Sequence, residues 1–252
     1  MVEKDSISAY DLPDRVASYD TDMEIMHPNR SKIADIALEI LPYSSNASIT
    51  CLELGTGTGF FTSRFLEQFP NSRVISVDGA ESMIAIAQAR IGSMVDRADF
   101  RIADFRQLGQ IIPGDQKVDV VLSAYSLHHL SVAEKTDVIR QSLGFLNPGG
   151  WFVNRDIIIS ESQYIENRIQ ELRVKGIVER GGGKDERFRD LKSTRDFLDN
   201  LETNEIDQPV TLPMDLQILR EAGLTDVAVF WLEYREAVYG GRKSADPKYG
   251  TR

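Results

Sequence analysis

Cysteine occurs once in the 252 residues, at Cys51. An internal disulfide is therefore impossible, and a reducing compartment is the expectation. Cys51 lies inside an apolar stretch, where a packing role fits better than a reactive thiol. Long hydrophobic runs are missing as well: none approaches the roughly 20 residues that span a bilayer. Residues 1–5 lack the basic region and apolar core of a secretory leader, so the expected location is cytoplasmic, with no membrane partner. Positive charge is in short supply, with 29 Lys and Arg against 39 Asp and Glu and a net charge of −10. That balance argues against tight sequence-independent binding to nucleic acid, which rests on cationic contacts with phosphates. It leaves room for a local basic patch and speaks mainly to solubility. There is no internal repeat and no low-complexity segment. What remains is 42% hydrophobic and 27% charged, ordinary for a globular protein and long enough for one large domain or a domain with an insertion.

The richest stretch is 51–62. A short apolar strand over 49–54 runs into glycines at alternate positions, Gly55, Gly57 and Gly59, and a helix begins near residue 58. Glycine lets the chain turn sharply and approach a ligand closely, and a helix N-terminus offers free N–H groups. This is the arrangement of a nucleotide-like cofactor site in an α/β protein. The dinucleotide pattern G-x-G-x-x-G does not fit: the third glycine comes one residue early, and Phe60 fills the place that pattern gives to Gly or Ala. A nicotinamide-dependent oxidoreductase is disfavoured on that ground.

Strand and helix patterns alternate through the next hundred residues. Ser31 is the expected N-cap of a helix over 32–41. Helices follow over 59–69, 80–91 and from the capping box Ser131–Glu134 to residue 145, and strands over 73–77, 100–103, 118–124 and 151–159. Residues 161–201 carry two helix-like segments around Gly181, Gly182 and Gly183. A helix over 213–222 and strands over 227–234 and 236–239 complete the pattern. Such alternation predicts a parallel sheet with helices on both faces.

The phrase Glu53-x-Gly55-x-Gly57-x-Gly59 resembles the first motif of the class I S-adenosylmethionine-dependent methyltransferases, and further matches follow in order over roughly 31–159. Asp78 ends the second strand, where a carboxylate can accept hydrogen bonds from both ribose hydroxyls; a turn aspartate is the plainer alternative. Met83 suits the adenine face or the core equally. Asp104 ends the third strand, and Phe105 can line the adenine ring. The fourth strand leads through Ser123 and Tyr125 into Leu127-His128-His129-Leu130, and the run 146–153 resembles the family's entry to strand five. Gly79 is a minor departure from the common pattern. The resemblance implies a Rossmann-like, seven-stranded, mostly parallel sheet with helices on both faces and a helical insertion between strands five and six. It divides the chain into an N-terminal lid (1–30), a cofactor-binding core (31–159), a helical substrate-lid insertion (160–212), the return of the core (213–240) and a disordered tail (241–252). S-adenosylmethionine is the implied cofactor, held by Glu53, Gly55, Thr56, Gly57, Gly59, Asp78, Gly79, Met83, Asp104, Phe105, Ser123 and Tyr125. No metal is expected.

A sulfonium methyl group is already activated, so alignment and exclusion of water carry most of the work. Candidates for contact with the acceptor are His128, Asp156 and Tyr19, with His129, Arg155 and Tyr125 also at the mouth of the sheet. Histidine is the commonest general base, but a structural role for the Leu-His-His-Leu loop is equally open. A mutual salt bridge is the plainer alternative for Arg155 and Asp156, and a solvated face for the basic segment 184–195. The acidic chain, without an RNA-binding appendage or an Asn-Pro-Pro-Tyr-type motif, favours a small-molecule acceptor; a homodimer is compatible with it. Two alternatives stand: an enzyme of the same fold using the cofactor for other chemistry, such as carboxy-S-adenosylmethionine synthesis, and a non-catalytic protein that binds S-adenosylmethionine.

Overall fold

In the computed structural model, which describes residues 6–245, the chain opens with two helices, α1 (Ser6–Tyr10) and α2 (Pro13–Met26). The sequence shows no clean period here, for a physical reason. Val16, Tyr19, Met23 and Met26 do recur at helical spacing, but Arg15 and Asp22 interleave on the same covered side and pair with each other at 3.5 Å, so the apolar stripe is broken by buried charge. Helix α3 (Arg30–Glu39) starts two residues early, with Asn29 rather than Ser31 at its N-cap.

The core then alternates strictly: β1 (Thr50–Leu54), α4 (Phe60–Gln68), β2 (Arg73–Asp78), α5 (Glu81–Ile91), β3 (Ala98–Ile102), α6 (Leu108–Ile111), β4 (Val118–Ala124), α7 (Val132–Phe145) and β5 (Leu146–Ile157). The expected capping box opens α7, with Ser131 and Glu134 each accepting from the other's backbone N–H. Between β5 and β6 stand the helices α8 (Gln163–Gly181) and α9 (Leu191–Asn204), the predicted helical insertion, and then α10 (Leu212–Glu221). The strands β6 (Leu224–Glu233) and β7 (Glu236–Lys243) finish the sheet. The expected disordered tail is thereby corrected in part. Residues 241–243 continue β7, because Trp151 and Phe152 of β5 pair with Arg242 and Gly241; the end of that tail lies outside the described residues.

Strand order is β3-β2-β1-β4-β5-β7-β6, with only β7 antiparallel to its neighbours. Side chains alternate across a strand, and β1 shows the result: Cys51 joins the core with Phe61, Phe65 and Ile33, while Leu52 and Leu54 join the opposite core with Val138, Ile139 and Leu219. The second core contains a buried polar cluster. Lys135 of α7 reaches Asp215 of α10 at 2.9 Å, Tyr239 of β7 donates to Asp215 at 2.8 Å, and Asn154 of β5 donates to Tyr239 at 2.8 Å.

The N-terminal helices and the insertion are tied to each other. Arg187 donates to both oxygens of Asp22, Arg180 to the Ile25 carbonyl, and Arg15 and Tyr10 to Glu205. The basic segment 184–195 is paired with nearby acids, Arg187 on Asp185, Arg189 on Glu186 and Lys192 on Asp196, while Arg187 also anchors it to α2 through Asp22.

Candidate active site

The sheet reverses direction of growth between β1 and β4. In open α/β sheets, ligands bind beyond the carboxyl ends of the strands at this point. A cavity opens there, lined by the ends of β1, β2, β4 and β5 and by α1 and α2.

The glycine loop forms its floor. Gly55 has φ +74°, and a Cβ there would meet Ser126 Oγ at 2.0 Å; the Ser126 hydroxyl itself donates to the Leu54 carbonyl at 3.1 Å. Glycine is thus the residue that lets the turn approach the end of β4. Gly57 N–H donates to Asp78 Oδ2 at 2.7 Å and Ala80 N–H to Asp78 Oδ1 at 2.9 Å. Burial nevertheless raises the Asp78 carboxyl, against the pull of those two donors. Gly59 does not line the cavity. It has φ +73°, and a Cβ would stand 2.8 Å from the Ala87 Cα, so its smallness serves the approach of α4 to α5.

Thr56, Gly79, Met83, Asp104, Phe105 and Tyr125 all line the cavity, together with Glu53, Asp78 and Tyr19. Asp104 accepts from Arg106 N–H at 2.9 Å and from its guanidinium at 2.7 Å. Tyr125 has φ +50°, a strained conformation of the kind that concentrates at functional sites, and its hydroxyl donates to Glu236 at 2.5 Å. Ser123 is a correction. It is wholly buried one residue before the strand end and is not among the lining residues, whereas Ala124 and Tyr125 reach the opening.

Opposite Asp78 and Asp104 the wall changes sign. Arg30 and Arg155 both line it, and both guanidiniums lie over the Phe60 ring, at 4.0 and 5.6 Å. Arg155 is 2% exposed, and burial lowers its guanidinium to about 10. Glu53, also on this wall, accepts from Thr62 at 2.5 Å and from Ser76 at 3.3 Å; burial raises its carboxyl to about 7, against the Thr62 hydrogen bond and the Arg155 charge. Four buried atoms on this wall have no partner in the protein: Arg30 Nε, Glu53 Oε1, Thr56 Oγ1 and Arg155 Nε.

A smaller cavity adjoins, sharing Tyr10, Tyr19, Met23 and Tyr125 with the first and reaching His128 and Asp207. His128 Nδ1 meets Asp156 Oδ1 at 2.6 Å. Burial opposes a charge on the imidazole, but Asp156 and Asp207 overcome it and raise His128 to about 10. Asp156 itself reaches neither cavity. It is 1% exposed, and its carboxylate is taken by His128 and by the Ile157 N–H at 2.9 Å. The expected contact between Asp156 and an acceptor is therefore corrected: the carboxylate faces His128 instead. The mutual Arg155–Asp156 salt bridge is also corrected: as successive strand residues they point to opposite faces, Arg155 donating to the Arg30 carbonyl at 3.1 Å.

Sequence reasoning overlooked Arg30, Tyr10, Ser126 and Asp207. Ser126 follows a readable strand end, and its small hydroxyl beside a glycine loop is a usable signal. Arg30 and Asp207 have none, since only the tertiary fold brings them to the site.

Residues 51–150 match the family model described as a methyltransferase domain, from the second residue of β1 into β5 and including the whole glycine loop. Over these residues the chain is similar to methyltransferase domains. The chain is 42% identical over 96 residues to a malonyl-[acyl-carrier protein] O-methyltransferase of Bacillus cereus, a match covering 37% of this chain and 34% of that protein. It is 31% identical over 133 residues to an uncharacterized methyltransferase of a Geobacillus species, covering 53% and 59%. The chain thus spans about a third of the length of the malonyl-[acyl-carrier protein] relative. An O-methyltransferase family protein from Burkholderia thailandensis shares the methyltransferase fold, with a TM-score of 0.67 and 16% identity over 96% of this chain and 64% of that one.

Proposed function

We propose that this chain is an S-adenosylmethionine-dependent methyltransferase acting on a small-molecule acceptor. The observation that carries the proposal is the polarity of the cavity. One end offers carboxylates, Asp78 and Asp104; the other offers two guanidiniums, one carboxylate and the Thr56 hydroxyl, with one unpartnered buried atom on each. S-adenosylmethionine needs acceptors for ribose hydroxyls and an adenine amino group at one end, and partners for a carboxylate and an ammonium at the other. Buried polar atoms are costly unless they find partners, and the cofactor supplies the missing ones.

Asp78 would take the ribose, and Asp104, Phe105 and Met83 the adenine. Arg30 and Arg155 would pair with the amino-acid carboxylate, Glu53 with the ammonium, and the backbone of Gly55, Thr56 and Gly57 would lie alongside. When bound, the cofactor supplies a methyl group activated by a positive sulfur. The chain's own contribution is alignment, worth roughly 7–11 kcal/mol of barrier when the geometry is right, and exclusion of water by α1–α2 and the 160–212 insertion, which are already joined through Glu205 and Asp22. Tyr19 and Tyr125 stand where the two cavities meet and would border the acceptor. His128, held between Asp156 and Asp207, would orient the acceptor.

The test is release of S-adenosylhomocysteine from S-adenosylmethionine over a panel of small phenols, alcohols, thiols, amines and carboxylates. A methylated product with at least one class, lost in Asp78→Ala, is the expected result. Cofactor binding with no S-adenosylhomocysteine across the panel would favour a non-catalytic binding protein, and a carboxylated product the other chemistry of this fold. The family match ends at residue 150, before the insertion, so the acceptor must be found by experiment.

A further inference from the structure

We infer that His128, His129 and Asp207 form a site for one divalent transition-metal ion at the wall between the two cavities. His128 Nε2, His129 Nδ1 and one Asp207 carboxylate oxygen lie within 4.8 Å of one another. Asp207 Oδ1 stands 3.0 Å from His129 Nδ1 and 3.5 Å from His128 Nε2. Ligand atoms in a tetrahedral zinc-type site, with metal bonds of about 2.0–2.2 Å, are about 3.4 Å apart.

The protons point the same way. Tyr10 has one hydroxyl proton and donates it to Glu205 at 2.9 Å. Its 3.0 Å contact with His129 Nε2 must then be a donation from the ring N–H to the phenol oxygen. In a neutral ring this leaves a bare lone pair on His129 Nδ1, directed at a carboxylate oxygen. The side chains of His129 and Asp207 are 8% and 10% exposed, and neither of these two atoms has a hydrogen-bond partner in the structure. A proton on Nδ1 would satisfy this pair alone, whereas a metal cation would satisfy both atoms and take up His128 Nε2 as well. The outer contacts have the form that metal-bound histidines require, each using its second nitrogen on a neighbouring group: His128 Nδ1 on Asp156 at 2.6 Å and His129 Nε2 on Tyr10. The loop bearing Asp207 is fixed on the histidines by Gln208, which donates its N–H to the His128 carbonyl at 2.7 Å and its amide to the His129 carbonyl at 3.2 Å. This assignment departs from the sequence reading, which expects no metal.

Two imidazoles and one carboxylate suit Zn²⁺ and its neighbours better than Mg²⁺ or Ca²⁺, and three protein ligands leave a coordination position open. His129 lines the larger cavity, and His128 and Asp207 the smaller. Resting on the methyltransferase proposal, the open position would take the oxygen or sulfur of an acceptor alcohol or thiol and make its proton easier to lose.

The decisive experiment is titration of chelator-treated protein with CoCl₂, read by visible absorption. One equivalent should give the intense bands of a four- or five-coordinate ion. His129→Ala and Asp207→Asn, each checked for folding by circular dichroism, should weaken binding at least ten-fold. Adding 2-mercaptoethanol should produce a sulfur-to-cobalt charge-transfer band. No stoichiometric band in the unmodified protein, or a band indifferent to both substitutions, overturns the site; no charge-transfer band overturns the open position. Calorimetry with S-adenosylmethionine on the same sample reads the methyltransferase proposal separately.

Discussion

Single side chains divide the cavity into an acidic and a basic pole, and substitution can test each. Asp78 accepts two backbone N–H bonds, from Gly57 and Ala80, and is placed to hold the ribose. Asp78→Ala should weaken S-adenosylmethionine at least ten-fold, about 1.4 kcal/mol, by calorimetry; unchanged affinity would move the ribose elsewhere. Glu53 gives a pH signature. Its folded carboxyl is raised by burial from 4.5 to about 7, so the native state holds its proton more tightly than the unfolded chain. The stability this contributes is present below about 4.5 and is lost as pH rises through 7. Glu53→Gln keeps an acceptor for Thr62 and removes the titration. Denaturant melts should therefore show the variant gaining on the parent between pH 4.5 and 8, by on the order of 3 kcal/mol at most; a gap constant with pH would contradict the burial of an ionisable group there. At this scale the local signals were legible. Glu53, the glycines and Asp78 announce themselves by spacing next to strand ends. Arg30, Asp207 and Tyr10 do not, because long-range packing alone brings them to the wall. Gly59 was legible as one of the phased glycines and expected at the cofactor; its service to the packing of α4 on α5 was not legible.

Elements hold the site through contacts that run across layers. Lys135, Asp215, Tyr239 and Asn154 join α7, α10, β7 and β5 behind the sheet. Removing one partner of a buried ion pair leaves the other charge uncompensated, at about 3–5 kcal/mol. Asp215→Ala should cost that much by urea unfolding, whereas the double replacement Lys135→Met, Asp215→Leu should recover most of it. A loss under 1 kcal/mol for the single variant would mean that water reaches Lys135. Strand existence and order of types were readable, since β1 to β5 alternate with amphipathic helices and Ser131–Glu134 marks its own helix. The N-terminal helix α2 was not, because Arg15 and Asp22 share its covered face. The end of β7 was missed because residues 241–243 are polar and gain their strand form from pairing with β5, a contact far away in sequence.

For the whole molecule, the central claim is that a class I sheet, with its reversal point between β1 and β4, presents a cavity of opposite poles matched to S-adenosylmethionine. A ligand bound only by the folded chain at one hundred times its dissociation constant stabilises by about 2.7 kcal/mol. For a domain of this size that is a rise of roughly 5–11 °C in melting temperature. S-adenosylhomocysteine should produce it and Asp78→Ala should abolish it. The most direct measurement is isothermal titration of the purified chain with S-adenosylmethionine and, in parallel, with NADH. The account predicts one equivalent of S-adenosylmethionine and no heat from NADH; saturable NADH binding with none for S-adenosylmethionine would contradict it.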